Sequence, residues 1–87
     1  MAGTLKVSVV SANSEVWVGE AKQVTARTIE GEIGILVGHE PLLAMLVSGE
    51  VRVTAADGNR LSAWAEDGFL SVENDIVTVI AGEAALT

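Results

Sequence analysis

The 87 residues predict an all-β domain, a sandwich or barrel of short strands, from three observations. Thirteen Val, five Ile and six Thr give 24 β-branched residues, which favour strands over helices. Apolar and polar residues alternate with a period of two along several stretches, leaving each with one wet face. Turn-forming residues interrupt the chain at short intervals.

The elements follow in order. Leu5, Val7 and Val9 alternate with Lys6 and Ser8 in a first strand, and Asn13-Ser14 signals a turn. Trp17 reads as a packing residue before a turn at Gly19-Glu20, and Glu30-Gly31 signals the next reversal. Gly31 to Leu43, GEIGILVGHEPLL, holds three glycines, the single histidine and the single proline. Gly31, Gly34 and Gly38 permit backbone angles closed to other residues, and Pro41 fixes its own φ and removes a donor. Ile33, Ile35, Leu36 and Val37 between them read as a short buried strand framed by two turns, after which Leu42 and Leu43 return apolar surface. Leu42 to Val47 has room for one helical turn at most, with Pro41 before it and Gly49 after it. Past the Ser48-Gly49 turn, Val51, Val53 and Ala55 alternate with Arg52 and Thr54. Asp57-Gly58-Asn59 is the strongest hairpin signal of the chain. Leu61, Ala63 and Ala65 then alternate with Ser62 and Trp64. Trp64 reads preferentially as a core residue of a two-sided strand, with an exposed interface anchor as the other reading. Asp67-Gly68 and Asn74-Asp75 mark the last turns, and Val77 to Ala81 close the domain.

Composition narrows the function. A single domain of this size buries roughly 60–65% of the surface its unfolded chain exposes. Without cysteine it has neither a disulfide framework nor a thiol nucleophile. Lys6, Lys22, Arg27, Arg52 and Arg60 are scattered against twelve acidic residues at net charge -7, so no basic stripe tracks phosphates and nucleic acid is a poor partner. No basic-then-apolar leader opens the sequence and no apolar run approaches the ~20 residues that span a bilayer, so a soluble, cytoplasmic protein without membrane insertion is expected. A hydrophobic fraction of 49% is high for so acidic a domain and leaves room for an apolar face reserved for a partner.

Catalytic and ligand readings fail on spacing. His39-Glu40-Pro41-Leu42-Leu43 has leucine where HExxH needs its second histidine, and Pro41 opposes a helix there; a loop histidine bonded to backbone is the simpler reading. The glycines at 31, 34 and 38 lack the Lys and Ser/Thr of a phosphate loop. Glu30 and Glu32 flanking Gly31 form a solvated acidic turn rather than an acid/base pair, and Glu66-Asp67 and Glu73 with Asp75 read as solvated turns. Trp17, Trp64 and Phe69 are too few for a base-stacking platform. No catalytic residue, cofactor or metal site is expected.

The segment Gly31 to Leu43 resembles the signature of the epsilon subunit of bacterial F-type ATP synthases (delta in mitochondria), which reads GE-x-GI-x-x-GH-x-PLL. The resemblance extends over nearly the whole chain: Leu5 to Val10 followed by Ser11-Ala12, Trp17-x-Gly19, Gly49 to Val53, Gly68 to Val72 and Val77 to Ala81 match the family's amino-terminal domain in order and spacing. It implies a flattened antiparallel β-sandwich of about ten short strands, residues 1–87. This would be a non-catalytic central-stalk part of the rotor of a proton- or sodium-translocating ATP synthase. Its partners would be the gamma shaft and the c-ring, at the cytoplasmic face of the bacterial plasma membrane. It further implies a gamma-facing set, Ser11, Ala12, His39, Leu42 and Leu43, and a ring-facing set, Glu30, Gly31 and Glu32. Family members usually continue into a pair of carboxy-terminal helices that restrain hydrolysis and in some cases bind ATP; this chain stops at Thr87, which implies neither activity here.

The alternative is a lipoyl- or biotinyl-type swinging-arm carrier, also a small acidic β-sandwich, modified on a hairpin lysine. Glu20-Ala21-Lys22-Gln23 is a faint echo of DKA with Lys22 as the modified residue, whereas Ala44-Met45-Leu46 has leucine where AMKM has lysine. With no glycine-lysine phosphate loop and five scattered cations, calorimetric titration of this chain with ATP or Mg-ATP is expected to give no saturable heat at millimolar ligand. A submillimolar dissociation constant would place a nucleotide site on the sandwich itself.

Overall fold

Seven strands build the domain: β1 (Leu5–Ser11), β2 (Glu15–Thr28), β3 (Gly31–Leu36), β4 (Leu42–Leu46), β5 (Gly49–Ala55), β6 (Arg60–Glu73) and β7 (Ile76–Leu86). They are seen in a computed structural model that describes residues 3–12 and 14–86. Asn13, half of one expected turn, lies outside the described residues, which contain no helix.

Two layers follow from the pairing. In the first, β1 lies between the opening half of β2 and the first half of β7, and the sheet continues through the second half of β6 to β4. In the second, β3 pairs with the closing half of β2, followed by β5, the first half of β6 and the end of β7. All pairs are antiparallel except β1 with β7, which run parallel from Lys6↔Ile76 to Ser11↔Ala81. A parallel pair joins strands far apart in sequence, so no hairpin signal could announce it. The two layers form a flattened body of 35 × 24 × 18 Å.

The core is what period-two alternation requires. Leu5, Val7 and Val9 of β1 meet Val77, Val79 and Ala81 of β7, Leu70 and Val72 of β6, and Val51 and Val53 of β5, all buried. Buried Thr28 is satisfied locally: its hydroxyl donates to Gly31 O at 2.8 Å and accepts from Glu30 N at 3.1 Å. Among the described residues no buried side-chain polar atom lacks a partner.

The strand count departs from about ten because β2 and β6 run 14 residues each through positions that read as turns. Gly19-Glu20 lies inside β2, where the Trp17 ring covers Gly19 closely enough that a Cβ there would sit 2.7 Å from it. β2 changes layer at the irregularity between Ala21 and Gln23. Asp67-Gly68 lies inside β6, with Asp67 at φ 50 between the stretch paired to β5 and the stretch paired to β4. Leu42 to Leu46 is strand rather than a helical turn, because β6 and the end of β2 offer hydrogen-bonding edges on both sides. β3 is an edge strand with only Ile35 fully buried, and of its glycines Gly31 has positive φ, 120°, while Gly34 does not. Trp64 is 45% exposed on the outer face of the second layer, opposite Glu50 and Ala85, so it is not a core residue.

A side chain at Gly68 is excluded by position: a Cβ would lie 1.8 Å from the carbonyl oxygen of Ile80 and 2.7 Å from Ala81 Cα. Both atoms belong to backbone and cannot rotate away. Gly68→Ala is therefore expected to destabilise the domain by ~3 kcal/mol, lowering the thermal midpoint by roughly 12–24 °C in a chain of this size. A midpoint within 3 °C of wild type by circular dichroism would show that β6 can shift off β7.

Candidate functional site

The outward face of the first layer is apolar where a solvated sheet would be polar. Met45 pairs with Phe69, Phe69 with Ile80 and Ile80 with Val10, so one row crosses β4, β6, β7 and β1 without a charge. The next row reads Leu43, Ser71, Thr78, Ser8 and Val18. The row after that, at the end bearing the β6–β7 turn, turns charged: Glu73, Ile76, Lys6 and Glu20. Leu43 is 71% exposed, and Met45, Phe69 and Ile80 are 48–55% exposed. A contiguous apolar patch with a polar margin is the anatomy of a partner-binding surface. The outer face of the other layer carries Gln23, Thr25, Arg52, Thr54, Arg60 and Ser62 instead.

The gamma-facing set expected from the sequence occupies this layer but is not one cluster. Strand register puts Ser11 in the row of Ala81, Gly68 and Leu46, and Leu42 in the row of Val7, Val77 and Val72. Four residues of strand separate those rows, about 13 Å. Ser11 is engaged in its own turn, its hydroxyl donating to Ser14 O at 3.2 Å, and Ala12 is exposed beside it. Leu42 is half-buried against the core, so the exposed member of the pair is Leu43. His39 is half-buried in the β3–β4 loop, with Nδ1 2.7 Å from Glu40 O and its amide donating to Leu36 O at 3.1 Å.

Of the ring-facing set expected from the sequence, Glu30 lies on the β2–β3 turn, which leans on β4, and Gly31 and Glu32 open β3. Ile29 N donates to Met45 O at 3.1 Å, and Ile29 and Glu30 border the same depression as Leu43 and Met45. Glu30, Gly31 and Glu32 are exposed. The Glu32 carboxylate turns to the polar layer, where it accepts from Arg52 Nη2 at 2.9 Å, with Glu50 3.7 Å from Arg52 Nε. The expected groups are thus neighbours through Glu30 and divided through Glu32.

Met45, Phe69, Ile80 and Val10 were not singled out from the sequence. The signal was present: Leu42 to Leu46 and Ile76 to Ala81 are apolar at nearly every position, and a strand apolar on both faces needs a partner on both. Among the described residues no group of three or more His, Cys, Asp and Glu is placed to hold a metal ion. Lys22 lies within β2, away from any hairpin tip, which overturns the swinging-arm reading.

The fold is a small two-layer β-sandwich with one sheet face apolar and exposed. The chain belongs to the family of ATP synthase delta/epsilon chain β-sandwich domains, whose profile matches residues 4–87. It is 49% identical over 82 residues to the ATP synthase epsilon chain of Micrococcus luteus, covering 94% of this chain and 90% of that one. It is 49% identical over 78 residues to that of Corynebacterium diphtheriae, covering 88% and 63%, and 42% identical over 87 residues to that of Streptomyces coelicolor, covering 100% and 70%. Among solved structures, a chain of the Euglena gracilis mitochondrial ATP synthase (OSCP/F1/c-ring, rotational state 1) superimposes with a TM-score of 0.91 at 24% identity, covering 99% of this chain and 55% of that one. A chain of the Tetrahymena thermophila central stalk/c-ring gives 0.74 at 14%, covering 94% and 66%. At those identities the two likenesses establish the fold.

The exposures of Leu42 and Leu43 separate docking from stability. Leu43→Asp is expected to leave the thermal midpoint within about 3 °C of wild type, since it removes little buried surface. Leu42→Asp, which sets a carboxylate against the core, is expected to lower it by roughly 8 °C or more. Equal midpoints would reverse the assignment of the two side chains.

Proposed function

We propose that this chain is a central-stalk component of a bacterial F-type ATP synthase that joins the gamma shaft to the c-ring, so that ion-driven rotation reaches the catalytic head. The observation that carries the reading is the apolar outer face around Leu43, Met45, Phe69 and Ile80, on a domain whose relatives are ATP synthase epsilon chains. Its role is mechanical and its position is the cytoplasmic face of the plasma membrane, peripheral to the bilayer; among the described residues no helix is long and apolar enough to cross a membrane.

The shaft covers the apolar face. Leu43 lies inside it, Ser11 and Ala12 border its apolar end, and His39 stands in the loop at its charged end. Leu42 supports the face from beneath. The ring meets the β2–β3 turn, with Glu30 and Glu32 offering carboxylates and Gly31 the turn between them. Glu32 is already partnered by Arg52, so its contribution to a ring contact is a held geometry more than a free charge. An exposed ion pair of this kind is worth only ~0–1 kcal/mol.

The test is capture of the gamma subunit by the purified chain, with synthesis driven by an ion gradient as the second readout. Leu43→Asp and Phe69→Asp are each expected to weaken gamma capture by at least about tenfold with the fold intact. Glu32→Gln is expected to leave assembly nearly unchanged, whereas Glu32→Lys sets an ammonium beside Arg52 and lowers coupled synthesis. Full capture by both aspartate variants would remove the apolar face from the shaft interface; synthesis unchanged in Glu32→Lys membranes at equal enzyme content would remove Glu32 from the ring contact.

A further inference from the structure

The two-residue turn between β6 and β7 is built from Asn74 and Asp75, with φ of 50° and 62°. Both residues are therefore left-handed, the arrangement that matches the twist of a tight hairpin, in which the second position is relaxed when occupied by glycine. Aspartate there holds its backbone in a region that side chains disfavour. The strain has a counterpart in what Asp75 bonds. Its Oδ1 accepts from the amide of Gly38 at 2.7 Å, and its carbonyl accepts from Lys6 N at 2.8 Å.

Gly38 is itself left-handed, at φ 89, with nothing within 4 Å of where a Cβ would stand. Its turn is closed by His39 N donating to Leu36 O at 3.1 Å. In the loop from Val37 to Pro41, His39 bonds back to the end of its own strand β3, while the Gly38 amide bonds across to the β6–β7 turn. Asp75 is reached there across 37 positions of sequence. The loop runs directly into β4, whose outward residues Leu43 and Met45 belong to the apolar face, while the charged row Glu73, Ile76 and Lys6 adjoins the turn that carries Asp75. The same turn thus anchors the start of β1, the start of β7 and the loop at the charged end of the face.

We propose that Asp75 is a positioning residue for partner docking: its carboxylate latches the Gly38 turn, and so sets His39, Glu40 and Pro41 as a fixed rim of the apolar face. The inference rests on the reading of that face as the shaft-binding surface. A rim held before encounter loses less conformational freedom on binding than a rim ordered by the partner. Glycine at this position would relax the turn but release the loop, whereas aspartate supplies the latch.

The reading separates binding from stability. Asp75→Gly relieves the left-handed backbone while deleting the latch, so its thermal midpoint is expected within about 3 °C of wild type. Hydrogen exchange at the Gly38 amide should rise by roughly tenfold, and gamma capture by the purified chain should weaken by about three- to tenfold. Asp75→Asn keeps both a carbonyl acceptor and tolerance of left-handed φ, and should preserve Gly38 protection and capture. Leu43→Asp, assayed alongside, should lose capture with Gly38 still protected. Wild-type capture by Asp75→Gly with a fast-exchanging Gly38, while Leu43→Asp fails to bind, overturns the positioning role and leaves the docking face standing. A fall in the Asp75→Gly midpoint well beyond 3 °C, or equal loss of capture in the Gly and Asn variants, also overturns it. Wild-type capture by Leu43→Asp overturns the docking-face reading itself and this inference with it.

Discussion

The close passage of β6 over β7 at Gly68 is the constraint on which the rest of the structure depends. β6 pairs with β7 from Ala63 to Glu73, with β5 through its first half and with β4 through its second, so one strand carries both layers. It can do this only by changing direction in mid-strand, which Asp67 allows through a positive φ and Gly68 allows by having no side chain between itself and Ile80 O. β2 performs the same service on the other flank, where the irregularity between Ala21 and Gln23 lets it pair with β1 before and with β3 and β5 after. Two strands shared in this way leave the layers unable to slide without breaking ladders in both. Such resistance to shear is a property of backbone hydrogen bonding and needs no large core, which suits a domain whose buried side chains are mostly Val and Ala.

The shared strands also explain how the domain keeps one face apolar. In an ordinary two-layer sandwich the outer faces are wet and the inner faces supply the core. Here Leu46, Val72, Val77 and Val7 fill the inside of the first layer, while Met45, Phe69, Ile80 and Val10 lie on its outside with solvent access. β4 shows the arrangement most plainly, since Leu43 and Met45 point out while Leu46 is buried. Exposed side chains of this kind add nothing to the stability of the isolated chain and would favour self-association. Such a face is the anatomy of a surface that a partner covers. The polar second layer, with Arg52 between Glu32 and Glu50, has no such requirement.

Local alternation made most of the core legible. Leu5, Val7 and Val9, and Val51, Val53 and Ala55, are buried as period-two reading requires, and Asp57-Gly58 makes its hairpin. What local reading could not reach was decided by partners distant in sequence. Gly19 and Asp67-Gly68 carry turn chemistry but serve as close-approach and bending points within long strands, because the neighbouring strands hold the backbone extended on either side. Trp64 is outside although its strand is buried on the other face, and Leu42, expected as a contact, is the inward member of its pair. The Gly31 to Leu43 motif led to the family, but its residues divide between a hairpin beside Met45, an ion pair on the opposite layer and a loop held by Asp75.

That division bears on how a rotor subunit meets two partners. The motif is continuous in sequence, yet β3 carries it across the domain, from the Ile29-Glu30 turn beside the end of β4 to the Gly38 loop beside the start of β7. The two ends of β3 therefore stand at opposite margins of the apolar face, and the stretch of thirteen residues frames the surface and adds Leu43 to it. The centre comes from β4, β6 and β7, whose outward residues contribute apolar surface, whereas the frame is held by particular backbone angles at Gly31 and Gly38 and by the acceptor at Asp75. A short motif can mark the family for this reason. Turn geometry constrains residue identity far more tightly than hydrophobic contact does, so the recognisable residues are those that hold the face in shape, and the residues that would bear the partner leave only a pattern of hydrophobicity.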